Sequence, residues 1–206
     1  MRKRTTWITM LSVVAALTAS AAMASSASAS PVWRFGGAEL VGSETVVAET
    51  AASTLTLPGL ATTCKASIAM TISNSGGKGI ATVESMSLSG CGTNGVCTVE
   101  SATAPGTPWS GSTQVVGKNS YLVVKGFSNK ILYGGELCAI EGWTINYQGS
   151  VGGLFDNSSS KLIFDEASAA ATGSSLKSIG TTTTHYDAEY GVKATGSHAG
   201  QALTLS

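Results

Sequence analysis

The chain has 206 residues, with 12 Lys and Arg, 12 Asp and Glu, and a formal net charge of zero. A neutral chain lacks the basic surface to which nucleic acids and anionic membranes bind, so we expect neither partner. Hydrophobic residues make up 43% of the chain, which excludes a disordered, highly charged tail. The abundance of Ser, Thr and Gly favours β structure, and the length fits one domain.

The first 29 residues have the pattern of a secretory signal peptide. Basic residues at positions 2–4 precede an apolar run over residues 8–24, and Ala27-Ser28-Ala29 is a small-residue cleavage site. The apolar run is shorter than the ~20 residues of a membrane anchor, so we expect no membrane attachment after cleavage. The remaining chain, beginning near Ser30, has nine basic and 12 acidic residues and a net charge of −3. We therefore expect a secreted, extracellular or cell-surface protein.

The rest of the chain is a series of β-prone runs separated by turns. Turn signals recur about every 8–12 residues, a spacing typical of an all-β sandwich or barrel. We predict a single antiparallel β-sandwich over residues 30–206, of Greek-key or jelly-roll type and stabilised by disulfides. The predicted strands lie near residues 44–49, 53–57, 65–72, 80–89, 96–100, 121–125, 130–133, 143–147, 161–164, 181–193 and 203–205.

Two segments differ from this β pattern. Residues 165–171 are the one helix candidate, of one or two turns. We interpret the segment near residues 30–50 as an N-terminal arm. This arm would pair with a sheet edge of its own domain or with that of a neighbouring copy. In the second case, the arm would join copies into fibres by β-augmentation.

The four cysteines, Cys64, Cys91, Cys97 and Cys138, predict two disulfides, because their number is even and the chain is exported. The turn signal over residues 74–79 places Cys64 opposite Cys91 in a hairpin and leaves Cys97 to bond Cys138. The alternative pairs Cys91 with Cys97 and Cys64 with Cys138. Since the chain has no CxxC pair and only two His, we expect no metal site and no cofactor.

Several short motifs together carry a resemblance. They are Trp33-Arg-Phe-Gly-Gly-Ala-Glu-Leu, Thr63-Cys64-Lys65, Ser89-Gly90-Cys91, Val96-Cys97, Gly106-Thr-Pro108-Trp109, Cys138 and Gly149-Ser-Val-Gly152. Over about residues 31–155 the chain resembles an uncharacterised family of secreted β-rich proteins from soil actinobacteria. It is also distantly similar to small exported proteins described as activators of alkane oxidation. The resemblance implies an exported surface or matrix protein without known catalysis, and it supplies no catalytic residues.

His185, Asp187 and Glu189 form the most suggestive polar cluster in the sequence. Alternate residues of a strand point to the same face, so these three side chains together fit a metal site or a hydrolytic site. The commoner interpretation is a solvent-facing strand with Tyr186 and Tyr190 packed inward. We assign no catalytic residue.

Aromatic side chains are the candidates for ligand binding. Trp109 lies in a Pro- and Gly-rich loop, where an exposed indole can stack on a sugar, and Tyr186 and Tyr190 are further candidates. The commoner role of such a tryptophan is to fill one end of the fold. Trp143 and Tyr147 share a strand face, so we expect both in the core.

The sequence thus predicts a non-enzymatic, secreted cell-surface or extracellular-matrix protein that self-associates or adheres. The alternatives are a glycan-binding module that uses exposed aromatics, and a metal-dependent or hydrolytic enzyme around His185. The expected partners are a second copy of the chain or cell-surface glycans.

Overall fold

The computed structural model of the protein describes residues 30–178 and 182–206, so the predicted signal peptide lies outside the described residues. The fold is almost entirely β, with one short helix, α1 (Glu166–Thr172). The first strands are β1 (Trp33–Phe35), β2 (Ala38–Glu39), β3 (Ser43–Leu57), β4 (Leu60–Ser75), β5 (Lys78–Thr93) and β6 (Thr98–Thr103). They are followed by β7 (Trp109–Val116), β8 (Asn119–Gly134), β9 (Thr144–Asp156), β10 (Lys161–Phe164), β11 (Leu176–Ser178), β12 (Thr182–Ala194) and β13 (Leu203–Leu205).

The main sheet closes on itself as an eight-stranded antiparallel β-barrel. The ring runs β3, β4, β5, β7, β8, β9, then a position shared by β10 and β11, then β12, which pairs again with β3. The prediction of a β-sandwich was therefore wrong, because a sandwich has two separate sheets with free edges and this ring has none.

The strands are longer than the sequence pattern suggested, because bulges lie where we predicted turns. The runs 44–49 and 53–57 are one strand, β3, with a bulge between Thr50 and Ser53. The runs 121–125 and 130–133 are likewise one strand, β8, bulged at Gly126, whose φ is +79°. A bulge increases local twist without ending the strand, and such bends allow long strands to coil into a closed barrel.

The eighth position of the ring is divided between two short strands. Both β10 and β11 pair with β9 on one side and β12 on the other, at different heights along the barrel. The chain leaves the wall between them to form α1, which begins after the N-cap Asp165 and ends at Gly173 in the left-handed conformation. The predicted helix is thus confirmed.

The cysteines are bonded as the hairpin pattern favoured, Cys64 to Cys91 and Cys97 to Cys138. The β4–β5 turn lies at Gly76-Gly77, within the predicted turn segment. Glu84 is an extra residue in β5, and a second irregularity at Gly90 brings Cys91 opposite Cys64.

A three-stranded sheet closes one end of the barrel, and we call it the lid. It has the order β13-β1-β2 and contains residues that we predicted as an arm. Trp33 of the lid is 2% exposed, and its Nε1 donates a 3.0 Å hydrogen bond to the carbonyl of Ile80. Strand β1 is paired on both edges within its own chain, so this strand offers no free edge to another copy.

The hairpin disulfide stabilises the fold chiefly by restricting the unfolded chain. Replacing both Cys64 and Cys91 with Ala opens a covalent link across 27 residues, so we expect the free energy of unfolding to fall by about 3 kcal/mol. Denaturant unfolding under non-reducing conditions measures this loss. Unchanged stability would contradict the assigned link, and unreduced peptide mapping of the variant checks that Cys97 still bonds Cys138.

Candidate binding groove

The barrel interior is filled by side chains. Trp109, Phe127, Tyr186 and Phe164 form a continuous series of aromatic contacts, with ring centroids 5.0–5.4 Å apart. The cavity that remains beside them has a volume of about 10 Å³, which is room for a single water molecule. The described interior therefore has no space for a ligand.

The three aromatic residues predicted to bind a ligand are all part of this interior. Trp109 is 3% exposed, Tyr186 is 7% exposed and Tyr190 is fully buried. The hydroxyl of Tyr186 accepts a 3.1 Å hydrogen bond from Ser53 and also bonds the Tyr190 hydroxyl, and burial raises the pKa of both tyrosines. Their rings are used in packing, as the commoner interpretation of Trp109 expects, and ligand binding by the three residues stays a prediction.

The His185 cluster lies on the outer wall beside α1. His185 and Asp187 do share an exposed face, but Glu189 forms a salt bridge with Lys161. A cavity of about 160 Å³ lies under the helix next to His185, and burial raises the pKa of Asp187. Within residues 30–178 and 182–206, no group of three His, Cys, Asp or Glu has a metal-binding arrangement.

The exposed tryptophan is Trp143, not Trp109. Its side chain is 56% exposed, although we predicted it in the core with Tyr147. The backbone beneath it is fixed, because the Trp143 carbonyl accepts a 3.0 Å hydrogen bond from Tyr133 and its N–H donates a 3.0 Å bond to Ile140. Cys138, in the same loop, is tied to Cys97. The indole is therefore an exposed flat surface on a rigid support.

Trp143 stands at one end of a depression in the outer barrel wall. The depression has a volume of about 650 Å³ and is lined by Trp143, Thr144, Ile145, Asn146, Gln148, Gly149, Lys177 and Ser178.

A second depression, of about 430 Å³, continues from the first and shares Gln148 and Gly149 with it. It runs over Ser128 and Gly126 of β8 to Pro105 and Gly106. We call the two together the groove.

The groove lining combines polar side chains with apolar ones and contains no carboxylate among the described residues. Asn146 and Gln148 are exposed and alternate with the buried Ile145 and Tyr147 along β9. Their amides each offer donors and an acceptor to a ligand. In the sequence, polar and apolar residues alternate over residues 144–148, which indicates a strand with one polar face. Only the closed barrel shows that this polar face lies on the outer wall.

A buried carboxylate lies at the opposite end of the barrel, beside the lid. Glu44 Oε2 accepts 2.7 Å hydrogen bonds from Ser197 Oγ and from His198 Nδ1, and Phe35 stacks on the His198 ring. These hydrogen bonds lower the pKa of Glu44, and the bond from His198 has the largest effect. Ser197 Oγ and Glu44 Oε2 both lie within hydrogen-bond distance of the same atom, His198 Nδ1. In a hydrolytic Ser-His-Asp triad the serine and the carboxylate contact different nitrogens of the histidine ring, so this arrangement is not such a triad.

Comparisons with known proteins found no relative of this chain. No family model, no curated protein and no solved structure matches the chain. The resemblance stated from the sequence motifs stays a prediction.

Tryptophan fluorescence checks the assignment of the exposed indole. In a chain beginning at Ser30, Trp33 and Trp109 are 2% and 3% exposed and Trp143 is 56% exposed. We expect Trp143→Phe to remove most of the emission that acrylamide quenches. Trp109→Phe is the matched control and should leave quenching almost unchanged. The reverse result would place Trp109 at the surface.

The buried carboxylate predicts a loss of stability in acid. A pKa lowered below its ordinary value of 4.5 means that Glu44 contributes stability above pH 4.5, and that this contribution is lost as pH falls through the lower folded-state pKa. We expect Glu44→Gln to lower Tm at neutral pH and to flatten its decline below pH 4.5. Thermal melts across pH measure this, with the exposed Glu39→Gln as control. A parallel decline in parent and Glu44→Gln would contradict the role of Glu44.

Proposed function

We propose that the protein is a non-enzymatic, exported protein of the cell surface or extracellular matrix that binds glycan chains in the groove. The observation that carries this proposal is the exposed, rigidly supported indole of Trp143 at the end of an elongated depression lined by amides and hydroxyls. Sugar rings stack on indoles through their C–H faces and form hydrogen bonds with amides through their hydroxyls. In the groove, Trp143 can contact the C–H face of a sugar, and the amides of Asn146 and Gln148 can bind its hydroxyls.

The shape of the groove supports a chain as the ligand rather than a small molecule. Two depressions joined at Gln148 and Gly149 make a path along the outer wall, whereas the filled interior has no place for an apolar ligand of the kind that open barrels hold.

The backbone of the groove floor also argues against an extended peptide. Such a peptide binds by adding a strand to a free sheet edge. Strand β9 is paired with β8 on one side and with β10 and β11 on the other, so between Tyr147 and Gly149 it offers no free edge. A ligand here must be recognised by side chains.

The chemistry of the lining supports binding rather than cleavage. Glycoside hydrolysis uses a pair of carboxyl groups on either side of the scissile bond. The described lining provides amides, hydroxyls and one ammonium group, but no carboxylate.

The disulfides are the structural finding that is consistent with export. The two disulfides form stably in oxidising compartments, so they are consistent with an extracellular location. Within residues 30–178 and 182–206, no helix has the length and apolar character needed to cross a bilayer.

Removing the indole tests the proposal. We expect Trp143→Ala to weaken binding to glycans that a printed array identifies by about tenfold or more, because stacking contributes on the order of 1 kcal/mol beyond simple burial. Titration calorimetry on the best array ligand measures the change.

Leu137→Ala is the matched control, since Leu137 is 79% exposed on the same loop and lies outside the groove lining. It should bind as the parent does. An array without any ligand, or equal affinity of Trp143→Ala and the parent, would refute glycan binding in the groove.

A further inference from the structure

One lysine, Lys177, lines the groove, and two more, Lys125 and Lys130, lie beside it on β8. On β9 the outward positions Asn146, Gln148 and Ser150 follow one another. Each has a lysine as a register partner on a neighbouring strand: Lys130 opposite Asn146, Lys177 opposite Gln148, and Lys125 opposite Ser150. Register partners of an antiparallel pair point to the same face, about 5 Å apart.

These lysines have no acidic partner in the described structure. The salt bridges there join Lys161 to Glu189 and His198 to Glu44. Lys177 donates a 2.8 Å hydrogen bond to the neutral hydroxyl of Thr183. Three ammonium groups thus face solvent without a carboxylate to neutralise them.

This local charge is opposite to that of the whole domain. From Ser30 onward the chain has nine basic and 12 acidic residues, so its net charge of −3 repels an anion at long range. Glu136 and Glu141 lie on the loop before Trp143 and, like Lys125 and Lys130, do not line the groove. The three lysines therefore form a positive strip along β9 on a mildly negative protein.

We infer that the glycan bound in the groove is an anionic polysaccharide, whose carboxylate or sulfate groups pair with Lys125, Lys130 and Lys177. This inference rests on the proposed function. Lys177 lies on one side of β9 and the other two lie on β8, so the positive groups flank the floor about 10 Å apart across the sheet. A chain lying along β9 with Trp143 at one end presents acidic groups to both sides of this path.

A matched pair of polymers separates charge from shape. Polygalacturonate and its fully methyl-esterified form share a backbone and differ in carboxylate charge. Dextran sulfate and dextran likewise share a backbone and differ in sulfate charge. We expect an anionic form to bind at least tenfold more tightly than its neutral counterpart, with affinity falling as salt is added. Comparison of the affinities of polygalacturonate and dextran sulfate shows whether carboxylate or sulfate groups are preferred.

A triple variant tests the lysines themselves. Lys125→Gln, Lys130→Gln and Lys177→Gln together should weaken binding of the anionic polymer about tenfold or more and flatten its salt dependence. The control combines Lys65→Gln, Lys118→Gln and Lys193→Gln, which are exposed, are not register partners of Asn146, Gln148 or Ser150, and change the net charge equally. It should bind nearly as the parent does.

The outcomes distinguish this inference from the proposed function. If charged and neutral polymers bind equally and Trp143→Ala weakens both, the anionic ligand is wrong and the glycan groove stands. Equal weakening by the two triple variants would also overturn the inference, because net charge rather than position would explain it. Absence of binding to all four polymers and to every glycan on the array would refute both.

Discussion

The fold depends on the pairing of β12 with β3, which joins the last long strand to the first and closes the sheet. Closure gives each wall strand two partners and separates residues into an inner and an outer set by simple alternation. The inner set is packed with aromatic and aliphatic side chains, so the barrel is a solid support rather than a container. The candidate binding groove is therefore on the outside of the barrel, where side chains are free of packing.

The local features of this fold were readable from the sequence, but its closure was not. The helix after Asp165, the bulge at Glu84 and the bonding of Cys64 to Cys91 follow from short-range patterns of capping, alternation and turns. A glycine such as Gly126 marks a bulge and a turn equally well, so one long strand was divided into two. Whether the outer strands then meet depends on the sum of many small twists, which no local pattern records.

The candidate site shows the same limit at the level of single residues. Trp143 is in alternation with Tyr147, so both were expected on one face, but the ladder begins only at Thr144 and the indole before it is free to turn outward. Trp109, in contrast, starts β7 and is held inward against Phe127. The lysines around β9 come from strands far apart in the chain, so their convergence appears only once register is known.

The lid fixes the direction in which the groove faces. Val32 and Ser206 exchange backbone hydrogen bonds of 2.9 and 3.1 Å at the lid, whereas Trp143 and the two disulfides lie toward the opposite end of the barrel. The two ends of the molecule therefore differ in chemistry, since one is closed by a hydrogen-bonded sheet and the other has the exposed indole, and the length of the barrel sets the distance between them.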